Sequence, residues 1–208
     1  MFLESKFNEA LLIENGAEVS SESEDFPLLS AISGGNPDVV ELLIKNGAKI
    51  DFENGRSALQ YATETRNLDV IQCLIDNGAQ FTAEGSSVGK TLQKAAKAGY
   101  LEIVKFFIEN GAKIQSKSSH SPLFSAINGR NPDIVEYLLA NGANISDRKS
   151  YSTLLHAVES DYVDVLKVLI KKGVEDDPIN RRRALEFAIE AGREEMVELL
   201  KNNGAEKI

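Results

Sequence analysis

Apolar residues along the chain fall into two alternating helical patterns. In the first, a leucine is followed three residues later by an alanine and usually then by another apolar residue. Examples are Leu28, Ala31 and Ile32; Leu123, Ala126 and Ile127; Leu154, Ala157 and Val158; and Leu185, Ala188 and Ile189. Positions i, i+3 and i+4 share one face of a short helix. Leu59 with Ala62 and Leu92 with Ala95 keep the same frame. In the second pattern the apolar positions lie 8, 7, 4 and 3 residues before a glycine, as in Val39, Val40, Leu43 and Ile44 before Gly47, or Ile134, Val135, Leu138 and Leu139 before Gly142. Asn36-Pro37 and Asn131-Pro132 predict starts for this second helix, with a capping side chain ahead of a proline at the first helical position. The glycine predicts its stop, because glycine adopts a left-handed backbone at least cost.

The two patterns recur together. Asn-Gly-Ala begins at Asn15, Asn46, Asn77, Asn110, Asn141 and Asn203, with a degenerate copy, Lys-Gly-Val, at Lys172. The glycines are spaced by 31, 31, 33, 31, 31 and 31 residues, and from Gly47 onwards each lies 16 residues after an alanine of the first pattern. Each unit therefore reads as helix, short turn, helix, loop. A single helix hairpin cannot bury both faces, whereas stacked hairpins share a continuous core.

This pattern resembles the ankyrin repeat. The Thr-Pro-Leu-His-x-Ala motif of that family appears in altered form as Phe26-Pro27-Leu28-Leu29-Ser30-Ala31, Ser57-Ala58-Leu59-Gln60-Tyr61-Ala62 and Ser121-Pro122-Leu123-Phe124-Ser125-Ala126. The motif's histidine is absent from all six units. The second-helix signature is intact from Leu101-Glu102-Ile103-Val104-Lys105 to Asn110-Gly111-Ala112. The resemblance implies an all-α ankyrin-repeat solenoid of stacked antiparallel helix pairs with short finger loops. It implies one domain over 1–208: a half repeat or cap at 1–17, repeats at 18–48, 49–79, 80–112, 113–143, 144–174 and 175–205, and a tail at 206–208. The family period is 33 residues, so the units of 31 lack two residues in the finger. Asn54-Gly55 offers a tight turn in the second finger. The sixth finger, Glu175-Asp176-Asp177-Pro178, lacks the apolar residue that Val19, Ile50, Phe81, Ile114 and Ile145 supply, and is expected to be the least regular. Polar Asn8 and Glu9 near the start and Lys201 near the end suggest capped ends and a self-contained domain. The abrupt half-repeat start leaves a longer protein open.

Composition narrows the function. The chain has 208 residues and a net charge of -9, with hydrophobic residues at 42% and charged residues at 26%. This acidic balance argues against nucleic-acid binding, which rests on lysine and arginine, and points to a soluble, monomeric protein that repels its neighbours. No apolar run suits a membrane span, and the N-terminus lacks a secretory pattern. The single cysteine, Cys73, excludes an internal disulfide and favours an intracellular, cytoplasmic location.

Candidate chemistry is sparse. Gly85-Ser86-Ser87-Val88-Gly89-Lys90-Thr91 approaches a phosphate-binding loop, but three residues separate its glycines where the motif needs four; a flexible loop of the longer finger is expected instead. Cys73 falls on the apolar face of a second helix and reads as core. Packed helices lie about 8–10 Å apart, so repeats place Cys73, His120 and His156 too far from one another for a catalytic pair or a metal site. The carboxylates Asp38, Glu41, Asp133 and Glu136 recur at one surface position. No catalytic residue, metal or cofactor is expected.

Positions that vary between units while the frame holds are the candidate contacts. The residue before the alanine reads Ser30, Tyr61, Lys94, Ser125, His156 and Phe187; two residues after it stand Ser33, Glu64, Lys97, Asn128, Glu159 and Glu190. Near the loop tip stand Asp25, Arg56, Gly89, His120, Tyr151 and Arg182. The resemblance implies that these line a concave groove. Tyr61, Tyr151 and Phe187 are the aromatic anchors expected. Arg56, Lys97, His120, Glu159 and Arg182 join them as partner-binding candidates. Early fingers are acidic and late ones basic, through Arg148, Lys149 and Arg181 to Arg183, a gradient suited to steering a partner. The function expected is that of a protein–protein interaction module, an adaptor, scaffold or inhibitor. The alternative is the partner-targeting domain of a larger protein or of a microbial effector.

Overall fold

The structure, a computed structural model, describes residues 26–51, 57–79, 87–114, 121–143, 153–173 and 178–204. Twelve helices lie among the described residues: α1 Phe26–Gly34, α2 Pro37–Lys45, α3 Ala58–Thr65, α4 Leu68–Asp76, α5 Ser87–Ala98, α6 Leu101–Glu109, α7 Pro122–Asn128, α8 Pro132–Ala140, α9 Thr153–Glu159, α10 Val163–Lys171, α11 Pro178–Glu190 and α12 Glu194–Asn202. Backbone contacts divide the chain into two compact units. One comprises Met1–Ala95 with Lys105–Ala112, the other Ala96–Val104 with Lys113–Ile208. In the first, α1 packs on α2 and α3, and α4 packs on α2 and α3. In the second, α7 packs on α8, α8 on α10, and α9 on both α10 and α11, while α12 closes on α10 and α11.

Burial follows the apolar pattern closely. The residues 8, 7 and 4 before the glycine are buried in five described second helices, as Val39, Val40 and Leu43, Val70, Ile71 and Leu74, Ile103, Val104 and Phe107, Ile134, Val135 and Leu138, and Val165, Leu166 and Leu169. Full burial of one such side chain stabilises by about 1.5–3 kcal/mol, so these triplets dominate each helix pair. The residue 3 before the glycine is only half-buried in all five. In α12 the pattern loosens, with Val197 half-buried and Lys201 exposed. Ile189 of α11 is likewise 37% exposed, where Ile127 and Val158 at the same repeat position are 1% and 0%. Cys73 departs from expectation. It is half-buried rather than core, because its thiol reaches the Pro37 carbonyl at 3.3 Å instead of entering the apolar layer.

The Asn-Gly-Ala phrase is a helix stop built from hydrogen bonds. The asparagine amide donates back one turn, Asn46 to the Leu42 carbonyl at 2.8 Å and Asn141 to that of Tyr137 at 2.9 Å. Gly47, at φ +95, donates to Ile44, and Ala48 donates to Leu43. These are the paired bonds of a Schellman cap, which need a left-handed residue at the glycine.

The starts are equally local. Ser57 and Ser121, at the first position of the altered motif, accept from the backbone N–H groups of Gln60 and Phe124. Asn36 accepts from Asp38 at 3.1 Å ahead of Pro37, as expected. Asn131 does not cap its own helix. Its amide donates instead to the carbonyls of Ala96 and Lys97, at 2.8 and 2.9 Å, in the preceding repeat. Asn67 does both, accepting from Val70 and donating to Gly35.

The fingers depart from expectation in two places. Helix α5 begins at Ser87 and α11 at Pro178. Lys90 and Thr91 are therefore helical rather than part of a phosphate-cradling or flexible loop. Arg181, Arg182 and Arg183 are helical too, so they do not form a basic loop tip. Pro178 opens a long helix, where its fixed φ suits the first turn, while Glu175, Asp176 and Asp177 of the sixth finger lie outside the described residues. In the second finger an antiparallel bridge pairs Asp51 with Ser57, and Ala58 donates to Ile50 at 2.8 Å. Asn54-Gly55 lies outside the described residues, as do the apolar finger residues Val19, Phe81 and Ile145.

Candidate functional site

In the second unit, helices α7, α9 and α11 and the turns after them carry a connected set of rings and cations. His156 stacks on Phe124 with centroids 5.7 Å apart and planes at 23°. Tyr162, in the turn after α9, meets the same imidazole edge-on at 6.1 Å. Asn128 Oδ1 lies 2.7 Å from His156 Nε2. That oxygen only accepts, so it sets the proton on Nε2 and leaves Nδ1 to accept from Ser160 Oγ at 3.4 Å. Burial pushes the His156 pKa down, against an opposing pull from Glu159. The ring is thus held neutral and oriented.

Two arginines tie the turns together. Arg130 lies 4.9 Å over the Tyr162 ring and donates to the Asp161 carbonyl at 3.3 Å. Arg193 lies 5.4 Å over Phe187, donates to the Val158 carbonyl, and pairs with Asp161 at 3.5 Å. The Val158 carbonyl corresponds by repeat position to that of Ala96, which Asn131 uses. One reach-back contact is therefore made by an amide in one repeat and by a guanidinium in another. A guanidinium over an aromatic face is worth about 0.5–1 kcal/mol where solvent reaches it.

Of the expected contact residues, Phe187 lies in this network, half-buried beneath Arg193 rather than freely exposed. Glu159 is exposed at the end of α9 and acts on His156 through its charge. Arg182 is half-buried within α11 and pairs with Glu186 at 3.8 Å, which corrects its expected place at a loop tip. Lys97 is exposed near the end of α5. Tyr61, in the first unit, is half-buried on α3. Arg56, His120, Arg148, Lys149 and Tyr151 lie outside the described residues. Phe124, Arg130, Tyr162 and Arg193 were not singled out by sequence pattern. Only Arg130 carries a positional signal: with Arg66 and Asp161 it stands where other repeats carry Gly35, Gly99 and Gly192, and all six have positive φ.

Other chemistry is quiet. Burial, with Glu41 and Asp76 adding to it, pushes the Cys73 thiol up, away from the thiolate that would act as a nucleophile. Among the described residues no three histidine, cysteine or carboxylate side chains are grouped to hold a metal. No described helix is long and apolar enough to cross a membrane.

The repeat architecture can be set beside known proteins. A family profile described as Ankyrin repeats (3 copies) matches residues 5–85, 88–149 and 146–208. The chain is similar to the ankyrin repeat domain of human ASB11, with 21% identity and a TM-score of 0.76 over 100% of this chain and 99% of that one. It is also similar to an ankyrin repeat domain from Acinetobacter baumannii AYE, with 25% identity and a TM-score of 0.70 over 88% of this chain and 100% of that one. No curated protein matches it. The paired helices, their Asn-Gly-Ala stops and the profile match over nearly the whole length make this chain a member of the ankyrin-repeat family, an all-α solenoid fold whose members are generally protein–protein interaction modules rather than enzymes.

Proposed function

We propose that the protein acts as an adaptor, scaffold or inhibitor that holds a partner protein on the groove-lining positions of its first helices and on its fingers. The observation that carries this reading is the row of half-buried rings on the second unit, Phe124, His156 and Phe187. The adjacent core positions Leu123, Ala157 and Ala188 are fully packed, so the rings add little to the core. Asn128 and Ser160 instead orient His156, on which Phe124 stacks, and Arg193 lies over Phe187. Aromatic side chains held in one orientation lose little entropy on binding and are frequent hot spots. Tyr61 in the first unit occupies the repeat position of His156 and Phe187, while Phe124 stands one residue earlier in its own repeat. A thiol held on a backbone carbonyl suits a reducing, cytoplasmic setting, and the acidic charge suits a monomer that takes a protein rather than a nucleic acid.

The test is affinity capture with quantitative mass spectrometry, comparing the wild type with a Tyr61→Ala, Tyr151→Ala, Phe187→Ala triple variant of unchanged circular dichroism. Partners held by any of these side chains should fall at least about tenfold, since losing one hot spot costs about 2 kcal/mol. Equal recovery by the two proteins would overturn the assignment.

A further inference from the structure

Asparagine followed by glycine is the pair most prone to spontaneous deamidation in an unfolded chain, because glycine places no Cβ beside the reacting nitrogen. This chain puts such a pair at the end of one second helix after another. We propose that Asn46, Asn77, Asn110, Asn141 and Asn203 are deamidation sites held shut by the fold, so that each reacts only when its own repeat opens.

The chemistry names what must be blocked. The glycine backbone nitrogen gives up its proton to base and attacks the asparagine Cγ. As that N–Cγ bond forms, the Cγ–Nδ2 bond breaks, and the amide nitrogen takes a proton and leaves as ammonia. Water then opens the resulting succinimide at either carbonyl, leaving aspartate or isoaspartate; nothing is oxidised or reduced.

Both reacting nitrogens are engaged at every site. The leaving amides donate one turn back, to Leu42, Cys73, Phe106 and Leu199 at 2.8 Å and to Tyr137 at 2.9 Å. The attacking nitrogens of Gly47, Gly78 and Gly111 donate to Ile44, Ile75 and Ile108 at 3.0 Å, and those of Gly142 and Gly204 to Leu139 and Lys201 at 3.1 Å. To react, a site must lose both bonds, which means unwinding the last turn of its helix. Burial is not the protection: Asn46, Asn110, Asn141 and Asn203 are exposed and Asn77 is half-buried, so water and base reach them freely.

Reaction is also self-reinforcing. Aspartate loses the amide donor and sets a negative charge at a helix C-terminus, where the macrodipole disfavours it. Isoaspartate adds a backbone carbon and breaks the register of the cap. The repeat ending at Gly173 carries Lys172 in place of asparagine, so it lacks the reaction. Opening of the others is written irreversibly into the chain, repeat by repeat.

The full chain is incubated at mildly alkaline pH in buffer and in guanidinium chloride, and peptide mass spectrometry follows each site. The five sites should react at least about tenfold more slowly in buffer, equivalent to a local opening free energy of about 1.4 kcal/mol. Leu138→Ala, which loosens α8, should raise the rate at Asn141 above the other four. If circular dichroism shows that variant unfolded, Leu139→Ala at the half-buried neighbour serves instead. Equal rates in buffer and denaturant would overturn the proposal, as would an Asn141 rate indifferent to a folded, loosened α8.

Discussion

Gly129 shows how much one missing atom decides. Its φ is not left-handed, so no backbone preference requires glycine. A Cβ built there would lie 2.1 Å from the Lys97 carbonyl oxygen and 2.5 Å from Asn131 Nδ2. The first of these is backbone and cannot swing aside. At the same repeat position Gly34 is also a glycine, whereas Thr65, Ala98, Ser160 and Ala191 carry side chains, so the repeat frame does not by itself demand glycine here. Gly129→Ala should destabilise by about 1–3 kcal/mol, the usual range for overpacking, seen as a lower denaturant midpoint with an unchanged slope. An unchanged midpoint would mean that the helix pairs can move apart at no cost.

At the scale of the element, a helix start and an inter-repeat tie are made by the same residue type with different atoms. Asn36 works through its oxygen, accepting from Asp38. Asn131 works through its nitrogen, donating across to Ala96 and Lys97. Aspartate keeps the acceptor and loses the donor. Asn36→Asp should therefore be close to neutral, since aspartate caps as well as asparagine and suits the helix dipole. Asn131→Asp should cost about 1–3 kcal/mol, because a carboxylate would face two carbonyl oxygens left without their donor. Thermal denaturation of the two variants separates these roles, and equal shifts would show that the distinction is wrong. Both sites read Asn-Pro, which is why sequence pattern assigns them one role.

For the molecule as a whole, the ring network makes stability depend on pH through His156. Burial lowers its pKa in the folded chain below the ordinary value of 6.5. The unfolded chain then binds this proton more readily. The stability contributed by a neutral His156 is present above 6.5 and is lost as pH falls from there towards the lowered folded value. The denaturant midpoint should drop across that window, and His156→Gln should flatten the drop. Parallel curves for the two proteins would place the titration elsewhere. Glu136 acts in a separate, more acidic window. Lys171 and Lys172 hold its carboxyl below 4.5, so its contribution is lost as pH falls below that value. Because its groups are exposed, the effect is small and fades with salt.

The amino-acid sequence by itself determined where helices begin and end and which faces are apolar. Serine caps, proline at the first turn and the Asn-Gly-Ala stop all act within about one helical turn, so their information is local. The same locality made the core legible, since Val135 or Leu166 needs only a repeat period to be placed. It failed where helices start early, at Ser87 and Pro178, because no local stop separates finger from helix there. Tertiary structure alone decided which atom of Asn131 is used, why residue 129 has no room for a methyl group, and how Phe124, Tyr162, Arg130 and Arg193 gather about His156 and Phe187. Most of those contacts, such as Phe124 with His156, Arg130 with Tyr162 and Asn131 with Ala96, join residues about one repeat apart in sequence, and identical residue types at equivalent positions settle differently because each meets a different neighbour.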